Sequence, residues 1–168
     1  MGASPETRVV LRTLDPGNYT AVVSGVNGDT GIGVVEAYDL DGSVDSKLAN
    51  IATRGLVQTG RNAMIGGLIV TGSSPQRVII RAIGPSLDVE GKLENPHLEL
   101  YDGQGELVQS NDNWRSDQET EIIATTIPPT HELESAIVRD LTPALYTAIV
   151  SGVNETTGVA LVEVYALQ

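Results

Sequence analysis

The sequence predicts an all-β protein, an antiparallel β-sandwich of jelly-roll-like form with one short helix near residues 116–127. Three observations favour this fold class. The chain of 168 residues has no Phe, one Trp and five Tyr, so Val, Ile, Leu and Ala must build its core. Its 18 Gly and eight Pro indicate many turns between short strands. Apolar and polar side chains also alternate with a period of two along most of the chain, which is typical of half-buried strands.

Alternation places the individual strands. In YTAVVSGV, the residues Tyr19, Ala21 and Val23 share one face, and YTAIVSGV near the C-terminus repeats the same pattern. The segment GVALVEVYAL that follows is apolar on both faces, as expected for a strand covered from two sides. Further strands are predicted at residues 9–14, 52–58, 63–71, 77–83 and 136–141.

Gly-rich and Asn-rich segments predict how the strands connect. SGVNGDTG and SGVNETTG each follow a YTA strand, and we expect each to close a β-hairpin. HLELYDGQGELVQSND predicts another hairpin, around Asp102-Gly103-Gln104-Gly105. The only helical pattern is SDQETEIIATTI, which Ser116 is placed to cap and Pro128 to terminate.

The chain contains one segment twice. Residues 12–40 align with residues 139–167 at a constant offset of 127 positions, without a gap, and 17 of the 29 positions are identical. Such repeats are typical of units that stack on their neighbours. The sequence therefore predicts a terminal β-ribbon over residues 1–41, equivalent to the end of a preceding repeat, a linker at 42–47 and a complete sandwich module over 48–168.

Composition excludes several classes of partner and reaction. The formal net charge is −12 and there are only two Lys, so neither nucleic acid nor an anionic membrane surface is an expected partner. The longest apolar run is too short to insert across a bilayer. The absence of Cys removes disulfides and thiolate chemistry, and no hydrolase, zinc-protease or nucleotide-binding motif occurs. The protein is not predicted to be an enzyme.

The motifs LANIATRG, RVIIRAIGPSL, LELYDGQGELVQSNDNWR and YTAIVSGVNETTGVALVEVY occur in this order. Together they resemble a tandem repeat family of large secreted and surface proteins in Verrucomicrobia-type bacteria, a family without an assigned function. The resemblance covers residues 48–168 as one unit and 8–41 as the end of another. It implies an extracellular or cell-surface location, with the export signal outside this sequence, and supplies no catalytic residues.

A group of oxygen-bearing side chains suggests a metal site. Asp102, Asn111, Asp112, Asn113 and Asp117 are predicted to gather at one end of the hairpin, and calcium prefers oxygen ligands of this kind. The same residue types also cap turns without any ion. Calcium is therefore a hypothesis, and no other cofactor is expected.

Three charged residues and the single Trp are further candidates. Glu36 and Glu163 occupy equivalent positions in apolar strands, and Arg81 lies in the apolar strand RVIIRAI. Because a buried charge needs a partner, we predict a structural Glu–Arg ion pair across the sandwich. Catalytic carboxylates are the alternative, and they would require a cleft and a second acid. Trp114 is either a plug at one end of the sandwich or an exposed platform for a sugar ring.

These observations favour a non-enzymatic extracellular structural or adhesive repeat module. We expect it to self-associate head to tail through residues 8–41, as a homo-oligomer or a filament, by adding strands to a neighbouring sheet. Whether these residues dock within their own chain or on another is left open. The alternative function is a carbohydrate-binding or adhesion module of a secreted bacterial protein, with polysaccharide as its ligand.

Overall fold

A computed structural model describes residues 8–43 and 47–167. The chain divides into two units, Met1–Lys47 and Leu48–Gln168. Residues 44–46 of the predicted linker lie outside the described part of the chain.

The second unit is a sandwich of two four-stranded antiparallel sheets, as far as its described residues extend. One short helix, α1, is added to the strands. In chain order the elements are β1 Asn50–Val57, β2 Met64–Val70, β3 Gln76–Ile83, β4 Pro96–Asp102, β5 Leu107–Asn111, α1 Glu119–Ala124, β6 Ser135–Leu141, β7 Ala144–Gly152 and β8 Gly158–Ala166.

The strand order is that of a jelly roll. Sheet A has the order β1-β8-β3-β6 and sheet B has the order β2-β7-β4-β5. The first four strands of the second unit therefore pair with its last four as one long antiparallel ribbon, β1 with β8, β2 with β7, β3 with β6 and β4 with β5. Wrapping such a ribbon into two sheets produces this fold. The predicted fold class is confirmed.

The main core lies between the two sheets, where the inward side chains of both meet. Its largest fully buried members include Ile80, Leu98, Leu100, Ile137 and Val150. Two glycines bring the sheets close together on one side. A Cβ at Gly55 of β1 would lie 3.3 Å from the Met64 side chain, and a Cβ at Gly66 of β2 would lie 3.3 Å from Val162.

A second core covers the outer face of sheet A. Ile79, Ala136 and Val138 project from that face and pack with Trp114 and Ile122 from the segment between β5 and β6. Sheet A is therefore covered on both faces along β3 and β6, and Tyr165 and Leu167 pack against the same second core, which explains why GVALVEVYAL is apolar on both of its faces.

The helix is shorter than its sequence pattern predicts. It spans Glu119–Ala124, and its N-cap is Gln118 rather than Ser116. The Ser116 hydroxyl instead donates to the backbone carbonyl of Asn113, so this side chain stabilises the turn that precedes the helix. The predicted capping role of Ser116 is wrong because the competing local hydrogen bond is available.

The predicted hairpin in the second copy of the repeat is also wrong. β7 belongs to sheet B and β8 to sheet A, so the two strands are not hydrogen-bonded to each other. A 3-10 turn, Val153–Glu155, carries the chain from one sheet to the other, and we name it the crossing turn. Asn154 and Glu155 both adopt left-handed backbone conformations there. Alternation defines the two faces of a strand but does not identify its neighbours.

The first unit contains no strand within residues 8–43, and its residues remain exposed. The predicted strands at 9–14 and from Tyr19 onwards are therefore not formed. Its one regular element is the 3-10 turn Val26–Gly28, which aligns with the crossing turn. Asn27 and Gly28 have positive φ values, as do their counterparts Asn154 and Glu155. The turn forms from local sequence, whereas strands need neighbours to pair with.

Candidate functional site: the repeated strand pair and its ion pair

The predicted ion pair of Arg81 and Glu163 is present. The two residues lie directly opposite each other on β3 and β8, and Arg81 Nη2 is 2.5 Å from Glu163 Oε2. Their side chains are only 15% and 9% exposed. The pair lies on the outer face of sheet A and not across the sandwich, because β3 and β8 are neighbours in one sheet. The ion-pair prediction is confirmed, and its predicted placement is wrong.

Tyr165 completes this group. Its hydroxyl donates to Glu163 Oε1 at 2.9 Å, and the Arg81 guanidinium lies 5.0 Å from the centre of its ring. Arg81 also donates to the backbone carbonyl of Ile127 at 2.8 Å. Burial raises the pKa of the Tyr165 hydroxyl, and the hydrogen bond to Glu163 raises the pKa further. The carboxylate and guanidinium therefore pair as expected for a structural ion pair, although Arg81 Nε is buried without a hydrogen-bond partner.

A cavity of about 190 Å³ adjoins this pair. Ser86, Pro129, Thr130 and Leu161 are among the residues that line it, together with the pair itself. Glu163 is the only carboxylate among these lining residues, and it is already bonded to Arg81. Two-carboxylate hydrolysis requires a second acid in the same cleft, so this geometry does not support the catalytic interpretation.

Glu36, the counterpart of Glu163, is exposed in the first unit. Its expected burial is wrong, because no neighbouring strand covers it there. Its carboxylate still accepts a hydrogen bond from the Tyr38 hydroxyl at 3.3 Å, which matches the bond between Tyr165 and Glu163. The local half of the ion-pair group is therefore present in both copies, and the arginine is present in only one of them.

Trp114 is not a ligand platform. It is 3% exposed, and its indole nitrogen donates to the backbone carbonyl of His131 at 3.1 Å. The Arg115 guanidinium lies 4.1 Å from the ring centre and covers it further. The side chain fills the second core beside Ile122. The plug interpretation is confirmed, and the platform interpretation is wrong.

The five predicted calcium ligands are not gathered at one place. Asp102 ends β4, where its Oδ1 accepts the backbone N–H groups of Gln104 and Glu106, both at 2.9 Å. Asn111 lies opposite Leu98, four residues along β4 and hence about 13 Å away. Asp102 therefore caps the hairpin turn and is too far from Asn111 to share an ion with it.

The remaining predicted ligands have mixed roles. Asn111 is buried and its Oδ1 accepts the backbone N–H of Ala136, and Asp117 accepts from Gln109. Asp112 Oδ1 and Asn113 Oδ1 are buried without a hydrogen-bond partner. Within the described residues, no group of three or more His, Cys, Asp or Glu could hold a metal ion. Calcium binding at Asp112 and Asn113 stays a prediction.

Sequence reasoning missed Glu134. This residue is fully buried, and its carboxylate accepts hydrogen bonds from Ser86 N at 3.0 Å, Ser86 Oγ at 2.5 Å and His131 N at 3.1 Å. It thereby joins the Gly-Pro-Ser loop after β3 to the segment before β6. Glu134 lies directly before an apolar strand, where alternation does not indicate whether a side chain is buried. Its hydrogen-bond partners belong to a loop 48 residues earlier, which the sequence does not place nearby.

The two copies of the repeat agree at four positions that matter for packing. Tyr146, Ala148 and Val150 of β7 and Val162 of β8 belong to the main core. At the offset of 127 the first unit has the same residue at all four positions, namely Tyr19, Ala21, Val23 and Val35. The residues that differ include the outward Leu145 and Ile149, which become Asn18 and Val22. Two inward positions of β8 also differ, because Ala160 and Val164 become the smaller Gly33 and Ala37. Residues 17–39 therefore carry the inward side chains of β7 and part of those of β8.

A scan against known protein families gives no match for this chain. The search of curated proteins finds no match either. The resemblance to a bacterial tandem repeat family stays an expectation. Among the described residues, no helix is long and apolar enough to cross a membrane.

Proposed function

We propose that this protein is a non-enzymatic structural repeat module that self-associates through residues 8–41. In this proposal the segment supplies two strands to the sheets of a neighbouring module, and repeated use of the contact builds an oligomer or a filament. A heterologous contact of this kind leads to open chains of subunits unless its rotation closes a ring.

The observation that carries the proposal is the difference between the two copies. In the second unit, β7 has β2 and β4 as neighbours, and β8 has β1 and β3. The first copy keeps most of the inward side chains and has a 3-10 turn at the equivalent position, yet no strand forms within residues 8–43. In this proposal, residues 17–25 and 31–39 do not pair with each other, because their counterparts β7 and β8 belong to different sheets. They need strands from another module.

The exposed apolar side chains of the first unit agree with this need. Val23, Val35 and Tyr38 are 65%, 50% and 64% exposed. Their counterparts in the second unit, Val150, Val162 and Tyr165, are buried or half-buried. Burying apolar area on association is favourable at about 25 cal/mol per Å². A location outside the cell or on its surface is part of the proposal and rests on the resemblance of the sequence motifs.

The carbohydrate-binding alternative has less support. Its main candidate was Trp114, which is buried. In the described part of the second unit, Tyr101 is the only aromatic side chain on the outer face of sheet B that is partly exposed. A single half-buried ring does not make an aromatic row, so we do not propose carbohydrate binding.

Sedimentation velocity tests the proposed function. The full chain should form species larger than a monomer as its concentration rises, whereas the chain without residues 1–41 should stay monomeric and folded. Two matched variants strengthen the test. Val35→Asp places a charge on the inward face of the segment and should abolish association, whereas Val22→Asp places the same charge on the outward face and should have little effect. A full chain that stays monomeric at high concentration would contradict the proposal.

A further inference from the structure

One side of the sandwich has a free strand edge in each sheet. Within residues 8–43 and 47–167, β1 is hydrogen-bonded only to β8 and β2 only to β7, so each is the outermost strand of its sheet. The Met64 side chain of β2 lies against Gly55 of β1, which places the two edges side by side. A free edge presents unpaired backbone N–H and C=O groups that can pair with an added strand.

These edges are poorly protected. β2 has the sequence MIGGLIV, without a charge, a Pro or a bulge, and charges and Pro are the usual devices that keep edge strands apart. The inward face of β1 is also open. Ile51 and Thr53 lie opposite the core residues Val164 and Val162, yet both are exposed. The main core is therefore uncovered beside Ile51 and Thr53, at the start of β1.

A partner for both edges must have two strands that belong to different sheets and a turn that joins them. Residues 17–39 meet this description. They contain the counterparts of β7 and β8 on either side of the turn Val26–Gly28, which already has the backbone conformation of the crossing turn. Placed beside β2 and β1, they would extend both sheets by one strand, and Val35 and Ala37 would cover the open inward face of β1.

Charge determines the register of this added pair. Arg54 of β1 lies opposite Leu161, so it is on the same outer face of sheet A as the Arg81–Glu163 pair. It is exposed, and among the described residues it has no ion pair. Glu36 in the first unit has a hydroxyl partner, Tyr38, and likewise no cation among the described residues. Arg54 opposite Glu36 would reproduce on β1 the pair that β3 and β8 already make.

We propose that the paired edges of β1 and β2 are the docking site for residues 17–39 of a second copy of this chain, with Glu36 opposite Arg54. This inference rests on the proposed function and adds the acceptor surface and the register. In this register Val34 lies opposite Leu56, an outer-face side chain that is 59% exposed. Both sheets of the acceptor then have five strands.

Charge reversal tests the register. Arg54→Glu should weaken self-association by about three- to tenfold, because an attractive cross-strand pair becomes a repulsive one. Glu36→Arg should weaken it similarly, and the chain carrying both changes should regain most of its affinity. The control is Arg139→Glu, which makes the same change of charge on β6 at the far edge of sheet A. Equal effects of Arg54→Glu and Arg139→Glu, or no recovery in the double variant, would overturn the register.

Disulfide trapping identifies the partner, and the chain has no Cys to interfere. Directly opposite residues on paired strands are close enough for a disulfide. Oxidising a mixture of Val34→Cys chains and Leu56→Cys chains should give a cross-linked dimer of one of each. Val34→Cys with Ala52→Cys, four residues out of register, should not cross-link. Leu56→Cys chains that cross-link to each other would show that two acceptor edges pair directly, which would overturn the proposal.

The variant with both Val34→Cys and Leu56→Cys tests whether the partner is a second copy. A disulfide formed within a single chain of this variant would contradict docking on a second copy. The proposed function and this inference can fail separately. If deletion of residues 1–41 abolishes association while none of the pairs responds as expected, the segment associates but does so elsewhere. If the full chain does not associate at all, the proposed function is wrong.

Discussion

At the scale of single residues, the Arg81–Glu163 pair is the clearest result of the sequence pattern. Arg81 and Glu163 lie in separate strands, at positions that alternation assigns to an apolar face. Because an isolated buried charge is too costly to keep, this pattern predicts that the two side chains pair. Their position on one sheet face could not be predicted, since it depends on β3 and β8 being neighbours. Glu134 could not be predicted at all, because loop geometry supplies its hydrogen bonds.

Replacing Glu163 by Ala should destabilise the second unit by about 3–5 kcal/mol, because the change leaves the Arg81 charge half-buried without a partner. Removing both residues should cost less than the sum of the two single changes. Urea denaturation of the two single variants and the double variant measures this coupling. Strict additivity would mean that the two side chains do not stabilise each other.

The pH dependence of stability follows from Tyr165. Its folded pKa is raised above the ordinary value of 10.0 by burial first and by Glu163 second. A raised folded pKa means that the folded state holds the proton more tightly than the unfolded state, so this contribution is complete below pH 10 and is lost as the pH rises through the folded pKa. The unfolding free energy should fall less steeply above pH 10 in Tyr165→Phe than in the unchanged protein. Equal slopes would contradict this role.

At the scale of elements, the strands of the second unit were predicted to within two residues, because alternation reports directly which side chains face the core. The predicted helix was longer than the observed one. The predicted helix began at Ser116, but in the structure Ser116 belongs to a hydrogen-bonded turn that precedes the helix. The link between β7 and β8 was misread as a hairpin. SGVNETTG has the residues of a tight turn, and these residues serve equally well where the chain crosses between sheets.

The crossing turn depends on a glycine before it. A Cβ at Gly152 would lie 2.1 Å from the carbonyl oxygen of Thr156, a backbone atom that cannot move aside easily. Gly152→Ala should therefore destabilise the second unit by about 2 kcal/mol or more. Gly67→Ala is the control, because a Cβ there meets nothing within 4 Å. Thermal melting that gives the same midpoint for both variants would contradict this role of Gly152.

At the scale of the whole molecule, the fold class followed from composition and alternation, and the jelly-roll order required the structure. The repeat and a terminal ribbon were visible in the sequence, but the sheets to which its two strands correspond were not. Only the strand order reveals that the two repeated strands belong to different sheets. We propose that a segment with their sequence does not close as a hairpin but docks on strands of another module.

Amide hydrogen exchange of the full chain over a range of concentrations tests this claim most directly. The account predicts that residues 17–25 and 31–39 exchange rapidly in dilute solution and become protected as the concentration rises. Protection of β1 and β2 should increase over the same range, while β6, at the far edge of sheet A, should not change. Rapid exchange of residues 17–39 at every concentration, or protection that is the same at every concentration, would contradict assembly through this segment.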